Sequence, residues 1–152
     1  MNPIAALFVS MLGFASDQIT KKLADAEFFD KEEEYFGGRV RLMRRTNKGF
    51  AMNRFAGQRK LVVGVSAAVF LLLTVVYALA LADGTKSRMR LGLSLVVAGA
   101  AGNVYDRIFR GEVTDFINIP LLDKLVFNLA DIYIVVGGLL AIAGELMTGK
   151  GL

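Results

Sequence analysis

The sequence predicts an all-α membrane protein of four transmembrane helices, with a small extramembrane β-containing segment between the first and the second helix. Hydrophobic residues make up 55% of the chain and the mean hydropathy is +0.51, above the values of ordinary soluble domains. Apolar runs long enough to cross a bilayer as helices recur along the chain. Charged residues, 21% of the total, are clustered between these runs rather than spread over them.

The length of 152 residues predicts one integral membrane domain that covers 1–152. The run 61–82 is the clearest span, because it is unbroken and has the length of a membrane-crossing helix. In the third span, Gly92, Gly99 and Gly102 permit close contact with a neighbouring helix. The four predicted spans cover about residues 3–20, 61–82, 91–108 and 128–147.

The segment 22–60 differs in kind from the spans that flank it. The acidic run 30–34 is typical of a solvated loop. Gly37 and Gly38 mark a turn, and the partial alternation over 39–44 predicts a short strand. The later connections, a basic turn over 83–90 and a connector over 110–126, carry no predicted strand.

The composition excludes several kinds of chemistry. The chain has neither Cys nor His, so it offers no thiolate nucleophile, no imidazole base and no Cys or His metal ligand. The chain therefore offers no Cys- or His-ligated metal site, and we predict no cofactor. The net charge of +4 does not predict a nucleic-acid partner, because the basic residues cluster between Arg39 and Lys60, beside membrane spans. Membrane lipid headgroups suit such juxtamembrane cations better.

Two acids, Asp115 and Asp131, stand beside apolar segments, where an ionised carboxylate is costly. If the third and fourth spans pack together, these acids meet at the membrane surface and share a proton. One member then acts as a base toward water and the other as an acid toward the substrate. The alternative is that the two acids only form ion pairs with Arg107, Arg110 or Lys124.

Other polar side chains share helix faces with this pair or with each other. Asn103 and Arg107 are four residues apart, and Asn128 lies three residues before the second acid. These groups are placed to orient the acids or a substrate carbonyl. Lys21 lies one turn beyond Asp17, so the two are predicted to pair.

Five motifs that contain these residues occur in order along nearly the whole chain. They are Asp17-Gln-Ile-Thr-Lys21, Asn47-Lys-Gly-Phe-Ala-Met52, Ala98-Gly-Ala-Ala-Gly-Asn-Val-Tyr-Asp-Arg107, Gly111-Glu-Val-Thr-Asp-Phe-Ile117 and Phe127-Asn-Leu-Ala-Asp131. They resemble the D-Q-x-T-K, N-x-G-x-A-[FM], G-G-A-x-G-N-x-x-D-R, G-x-V-x-D-F-I and F-N-x-A-D boxes of lipoprotein signal peptidase. In the third motif, Ala98 replaces the first Gly. This family, also called signal peptidase II, consists of bacterial membrane aspartyl endopeptidases.

The resemblance implies that Asp115 and Asp131 are the catalytic pair. It implies cleavage of prolipoproteins just before a cysteine that already carries diacylglycerol, with water and without a metal ion. The supporting or substrate-binding positions that it implies are Asp17, Lys21, Asn47, Gly49, Asn103, Arg107 and Asn128.

The resemblance also implies a multi-pass protein of the bacterial cytoplasmic (inner) membrane, whose active site lies toward the outer face. Both termini would then be cytoplasmic. Four Lys or Arg residues lie on the side of the termini and fourteen on the other side, a distribution that taken alone favours the opposite orientation. We follow the resemblance, because the motif residues converge on one face.

Two other functions fit the same sequence. A non-catalytic relative would bind lipopeptide or lipid on the same scaffold without cutting it. A small proton-coupled transporter would use Asp17, Asp115 and Asp131 as a proton path, because ionisable residues within spans often mark such paths.

Overall fold

The computed structural model describes residues 1–28, 32–82, 87–122 and 125–146. Part of the predicted acidic run, the first half of the predicted turn over 83–90 and the last residue of the predicted span 128–147 lie outside these residues. The helices are α1 (Pro3–Leu23), α2 (Arg59–Ala82), α3 (Ser87–Tyr105) and α4 (Leu129–Leu146).

All four predicted helices are present, with shifted ends. Helix α1 continues past residue 20 to Leu23, and α3 begins at Ser87 rather than at residue 91. Helix α1 begins where the sequence supplies a cap: the side chain of Asn2 accepts a hydrogen bond of 2.7 Å from the backbone N–H of Ala5, and Pro3 occupies the first turn.

Helix α3 is the centre of the bundle and packs against the other three helices. Most of its residues are buried, and many are small, such as Gly92, Ser94 and Gly99. Small side chains let neighbouring backbones approach closely, which is the usual way in which membrane helices associate. The close packing of α3 and α4 brings the end of the third predicted span beside the start of the fourth.

Within the described part of the chain, three helices are long and apolar enough to cross a membrane. These are α1 with its extension to Ala26, α2 and α4, with mean hydropathies of 1.2, 2.5 and 1.8. Their outward faces carry exposed apolar side chains such as Phe8, Leu72 and Leu139. The structure therefore supports three membrane-crossing helices. Helix α3 is less apolar than these three, because most of its residues are buried against the other helices.

The β-structure is larger than the sequence predicted. A four-stranded antiparallel sheet has the order β1 (Glu33–Tyr35), β2 (Val40–Asn47), β3 (Val113–Asn118) and β4 (Val126–Phe127). The prediction placed all β-structure between the first two spans and left 110–126 as a connector, which is wrong. That segment supplies β3 and β4, since β3 completes the hydrogen bonds of β2, with Asn47 opposite Val113.

The sheet lies at one end of the helix bundle. A π-helical turn, Ala24–Phe28, extends α1 toward β2 and β3, and a second one, Asp106–Arg110, leads from α3 into β3. The C-terminal ends of α1 and α3 and the N-terminal end of α4 therefore meet beneath the sheet. Strand β3 is almost entirely buried there.

Candidate active site

The first turn of α4 positions Asp131. The backbone N–H of Asp131 donates a hydrogen bond of 3.0 Å to Asn128 Oδ1, and the backbone N–H of Asn128 donates one of 3.1 Å to Asp131 Oδ2. This reciprocal pair is a capping box, which satisfies two backbone donors that the start of a helix otherwise leaves unpaired. The carboxylate of Asp131 is thereby held at the positive end of the helix dipole.

Asp115 lies on β3, with only 5% of its surface exposed. Its Oδ1 accepts a hydrogen bond of 2.7 Å from the side-chain Nδ2 of Asn128. Burial, and after it the negative charge of Asp131, raises the pKa of the Asp115 carboxyl to about 7; hydrogen bonds from Asn128 and Asn47 and the charge of Lys21 oppose this rise. Asp115 therefore still binds a proton for much of the time near neutral pH.

Asn103, near the end of α3, links the two acids. Its Nδ2 donates a hydrogen bond of 2.9 Å to Asp131 Oδ1, and its Oδ1 accepts one of 3.1 Å from Asn128 Nδ2. Asn128 in turn donates to Asp115. The two carboxyl groups thus belong to one hydrogen-bonded network that is built from α3, β3 and α4.

Arg107 follows in the π-helical turn after α3 and reaches across to the loop after β2. Its guanidinium donates hydrogen bonds of 3.4 Å to the carbonyl of Asn103 and 3.1 Å to the carbonyl of Gly49. At Gly49, a Cβ atom would overlap the carbonyl of Arg54, so only glycine fits this loop. Asn47 Oδ1 accepts a hydrogen bond of 3.0 Å from the N–H of Gly49 and fixes the start of the loop.

A fully buried ionic cluster lies beneath the site. The ammonium of Lys21 is 2.8 Å from Asp17 Oδ2 and 2.7 Å from Asp106 Oδ2, and none of the three side chains is exposed. The predicted pairing of Asp17 with Lys21 is confirmed. Asp17 also accepts a hydrogen bond of 2.9 Å from the backbone N–H of Ala130, which ties α1 to the start of α4.

Asp106 is a member of this cluster that was not predicted from the sequence. The residue stands inside the third motif, directly before Arg107, and shares a helix face with Asn103 and Arg110. That spacing could have indicated a polar partner for a cation on another helix. The identity of the cation, Lys21 of α1, depends on how the helices pack.

The ion pairs that were the alternative interpretation of the acids involve other partners. Arg107 donates to the two carbonyls named above, and Arg110 pairs with Asp25 and Asp106 at 3.4 Å each. Lys124 lies outside the described residues. In the part of the chain that the structure describes, the hydrogen bonds that hold the side chains of Asp115 and Asp131 therefore come from amide groups of Asn103 and Asn128.

A cavity of about 660 Å³ opens beside both acids. One wall is polar and contains six of the predicted site residues; the other is apolar and comes from β4 and α4. The polar set comprises Asn47, Asn103, Arg107, Asp115, Asn128 and Asp131, and the apolar set includes Val126, Phe127, Ile134 and Val135. Lys21 and Gly49 lie outside this lining and contact members of it, Asn103 and Arg107 respectively, and Asp17 lies behind them, paired with Lys21. Such a site suits a substrate with both a polar bond to be attacked and an apolar part.

Comparison with known sequences decides the family. A sequence model of the family described as signal peptidase (SPase) II matches residues 9–147. The chain belongs to the signal peptidase II family. The lipoprotein signal peptidase of Caldicellulosiruptor bescii is 37% identical over 132 residues, which is 87% of this chain and 84% of that protein. That of Clostridium novyi is 34% identical over 148 residues, 95% of this chain and 99% of that protein. Members of the family are aspartic-type peptidases.

Two solved structures described as bacterial membrane enzymes share the fold of this signal peptidase II family member. One superposes with a TM-score of 0.81 at 22% identity and covers 96% of this chain and 90% of its own. The other has a TM-score of 0.79 at 24% identity and covers 97% and 94%. These likenesses establish that helices α1 to α4 and the sheet have the same fold as those two proteins.

Proposed function

We propose that this chain is an aspartyl endopeptidase of the membrane that removes the signal peptide from diacylglyceryl-modified prolipoproteins, with Asp115 and Asp131 as its catalytic pair. One observation carries the assignment of the pair. Asn128 donates its side-chain amide to Asp115 and exchanges hydrogen bonds with Asp131, so both acids face one cavity. The printed name of the relatives, lipoprotein signal peptidase, supports the substrate class.

The two acids differ in environment, and this difference assigns their roles. Asp115 retains a proton near neutral pH for the reasons given above. Asp131 lies at the N-terminal end of α4, and both of its carboxyl oxygens accept hydrogen bonds from N–H groups, an arrangement that suits the proton acceptor of the pair. In the proposed reaction, Asp131 accepts a proton from water, and the water oxygen attacks the scissile carbonyl carbon. Asp115 gives its proton to the carbonyl oxygen.

The tetrahedral intermediate then collapses. The C–N bond breaks, the proton held by Asp131 passes to the leaving nitrogen, and Asp115 regains a proton from one of the two hydroxyls, whose oxygen becomes the carbonyl oxygen of the new carboxyl group. Asn103, Asn128 and Arg107 hold the acids and the reacting carbonyl in place, and no metal ion takes part. The apolar wall of the cavity, which includes Ile134 and Val135, suits the lipid-modified part of the substrate.

We propose that all four helices cross the bilayer and that residues 1–152 form a single domain. Alternating crossings place both termini on one side and the sheet on the other, beside the C-terminal ends of α1 and α3. The buried position of α3 supports this arrangement, because a helix that is enclosed by three others needs no strongly apolar surface. We place the protein in the bacterial cytoplasmic membrane, with the acids at its outer face.

The test is cleavage of a diacylglyceryl-modified prolipoprotein by the purified protein in lipid or detergent. We expect Asp115→Asn and Asp131→Asn to abolish the size shift of the substrate. Glu34→Gln is the matched control, since Glu34 is exposed and pairs with Arg41 at the solvent-accessible edge of the sheet. Full activity of either Asn variant would overturn the assignment of the catalytic pair.

The same assay separates the two other functions. A non-catalytic lipopeptide-binding relative would retain the substrate without cutting it in the wild-type protein. A proton-coupled transporter would instead move protons across liposomes and would not respond to the lipopeptide.

A further inference from the structure

We infer that Lys21 is a positioning residue of the peptidase: it fixes which end of the Asn103 side chain faces Asp131. The inference rests on the proposed function and concerns how the catalytic pair is held. Lys21 lies on α1, outside the cavity lining, and its side chain is fully buried. Its effect on Asp131 therefore passes through Asn103.

The donor and acceptor groups decide the orientation. A lysine ammonium has three N–H donors and no acceptor. Lys21 Nζ lies 3.0 Å from Asn103 Oδ1, and the ion pairs with Asp17 and Asp106 account for its other two neighbours. The atom of the Asn103 amide that faces Lys21 must therefore be its oxygen.

This orientation makes the other end of the amide a donor. Asn103 Nδ2 lies 2.9 Å from Asp131 Oδ1, where an N–H stabilises a carboxylate. With the amide rotated by half a turn, its oxygen would face the oxygen of Asp131 and its N–H₂ would face the ammonium. Both contacts would be repulsive, so the charge of Lys21 excludes the rotated form.

The same orientation reaches the second acid. Asn103 Oδ1 accepts hydrogen bonds from Lys21 and from Asn128 Nδ2, and Asn128 Nδ2 also donates to Asp115 Oδ1 at 2.7 Å. A rotated Asn103 would present N–H₂ to the N–H₂ of Asn128. Lys21 thus controls a chain of two amides that ends on both acids.

The surroundings of Lys21 keep its ammonium in one place. Asp17 and Asp106 hold it from α1 and from the π-helical turn after α3, and each acid has a further partner. The N–H of Ala130 donates to Asp17, and Arg110 lies 3.4 Å from Asp106. A buried charge that is paired on several sides is rigid, which is what a positioning group requires.

The first experiment measures kcat and KM of Lys21→Met on the lipid-modified substrate. We expect kcat to fall roughly 100-fold, the cost of a small misplacement of a catalytic group, with KM unchanged. Arg90→Met is the matched control. It also removes a buried cation, but one at the opposite end of α3 that hydrogen-bonds to backbone carbonyls of Ala80 and Met1. We expect Arg90→Met to keep the wild-type kcat.

A double-mutant cycle with Asn103→Ala tests whether Lys21 acts through Asn103. Without the amide there is nothing to orient, so adding Lys21→Met to Asn103→Ala should lower kcat far less than it does in the wild type, because only the direct effect of the Lys21 charge on Asp115 remains. An equally large loss of kcat in both backgrounds would overturn the inference, because it would mean that Lys21 acts by a separate route.

Removal of Lys21 alone leaves the buried carboxylates of Asp17 and Asp106 without its positive charge, and the variant could fail to fold for that reason. A second variant that also removes one negative charge avoids this problem. Lys21→Met with Asp106→Asn removes one cation and one anion from the cluster, so its net charge is unchanged, and Asp17 keeps the hydrogen bond from Ala130. Asp106→Asn alone is its control. A folded double variant with the kcat of that control would overturn the inference. It would not affect the proposed function, which fails only if Asp115→Asn or Asp131→Asn keeps full activity.

Discussion

Asn128 and Asp131 hydrogen-bond to each other's backbone N–H across the first turn of α4, at 3.0 and 3.1 Å. The side chain that caps the helix also donates to Asp115 from its other end. The start of a membrane helix and the proposed catalytic pair therefore depend on one asparagine. Because the oxygen of the Asn128 side chain caps the helix and its nitrogen contacts Asp115, a mutation that removes only the nitrogen can separate the two roles.

Substitution of Asn128 should separate stability from catalysis. Asn128→Ser keeps an oxygen that accepts from the N–H of Asp131 but removes the N–H₂ that donates to Asp115 and Asn103. We expect this variant to keep the melting temperature of the wild type in detergent and to lose kcat by roughly 100-fold. Asn128→Ala should lose the same activity and, in addition, about 1 kcal/mol of stability through the missing cap. A serine variant with full activity would contradict the role given to the amide.

Removal of the charge of Asp131 should lower the pKa of Asp115. That charge is the second contribution to the raised pKa of about 7, after burial. In Asp131→Asn, the pKa of Asp115 should fall but stay above the ordinary value, because burial remains. The infrared band of the protonated carboxyl, followed against pH and assigned by its loss in Asp115→Asn, reports this pKa. The same midpoint with and without Asp131 would show that the two acids do not interact.

The pH dependence of cleavage should follow from the same pKa. A carboxyl acts as a general acid only below its pKa, so activity should decline as pH rises through about 7, the pKa of Asp115. It should also decline toward low pH, where the base of the pair becomes protonated. The measurement is kcat/KM against pH, and the two midpoints belong to the pair rather than to single residues. Constant activity well above neutral pH would exclude Asp115 as the acid.

The packing of Gly102 against Asp17 should be intolerant of any side chain. A Cβ atom at Gly102 would overlap the carboxylate of Asp17, which is held in the buried ionic cluster. Gly102→Ala should therefore lower both thermal stability and activity, although alanine otherwise favours a helix by about 1 kcal/mol. Gly64→Ala on α2 is the matched control, because among the described residues no other part of the fold comes within 4 Å of its added Cβ. We expect that variant to match or exceed the wild type in stability.

Arg107 should not be replaceable by lysine. Its planar guanidinium reaches the carbonyls of Gly49 and Asn103 at once, whereas a single ammonium on a flexible stem lacks that fixed fork. Loss of a charged hydrogen bond of about 1.5–3 kcal/mol predicts a fall in kcat/KM of roughly 10- to 100-fold for Arg107→Lys. Arg41→Lys, at an exposed ion pair on the sheet, is the control and should be neutral. Equal activity of the two variants would show that the fork is not needed.

The contrast between α2 and α3 shows how far apolar patterning predicts this fold. Helix α2 has a mean hydropathy of 2.5, and the predicted span 61–82 covers all of it but its first two residues, because a helix that faces lipid must be apolar along its length. Helix α3 begins at Ser87 instead of the predicted residue 91, because its residues pack against neighbouring helices and need not be uniformly apolar. Strands β3 and β4 were missed because β3 is buried on both faces and lacks the alternation that marks a half-exposed strand.

The sequence by itself determined the contacts that lie within one helical turn. The spacing of Asp17 and Lys21 predicted their pairing, and the spacing of Asn128 and Asp131 placed them on one face, because an α-helix returns to the same face every three to four residues. Those contacts hold wherever the helix is placed.

Only the tertiary structure decided which of the chain's 14 acidic residues meet. Asp115 reaches Asn128 through the pairing of β3 in the sheet, and Lys21 reaches Asp106 and Asn103 through the packing of α1 on α3. These partners are far apart in sequence, and their contact depends on strand register and helix packing. Neither is encoded in any local pattern, so the family motifs could name the residues of the site but not the bonds between them.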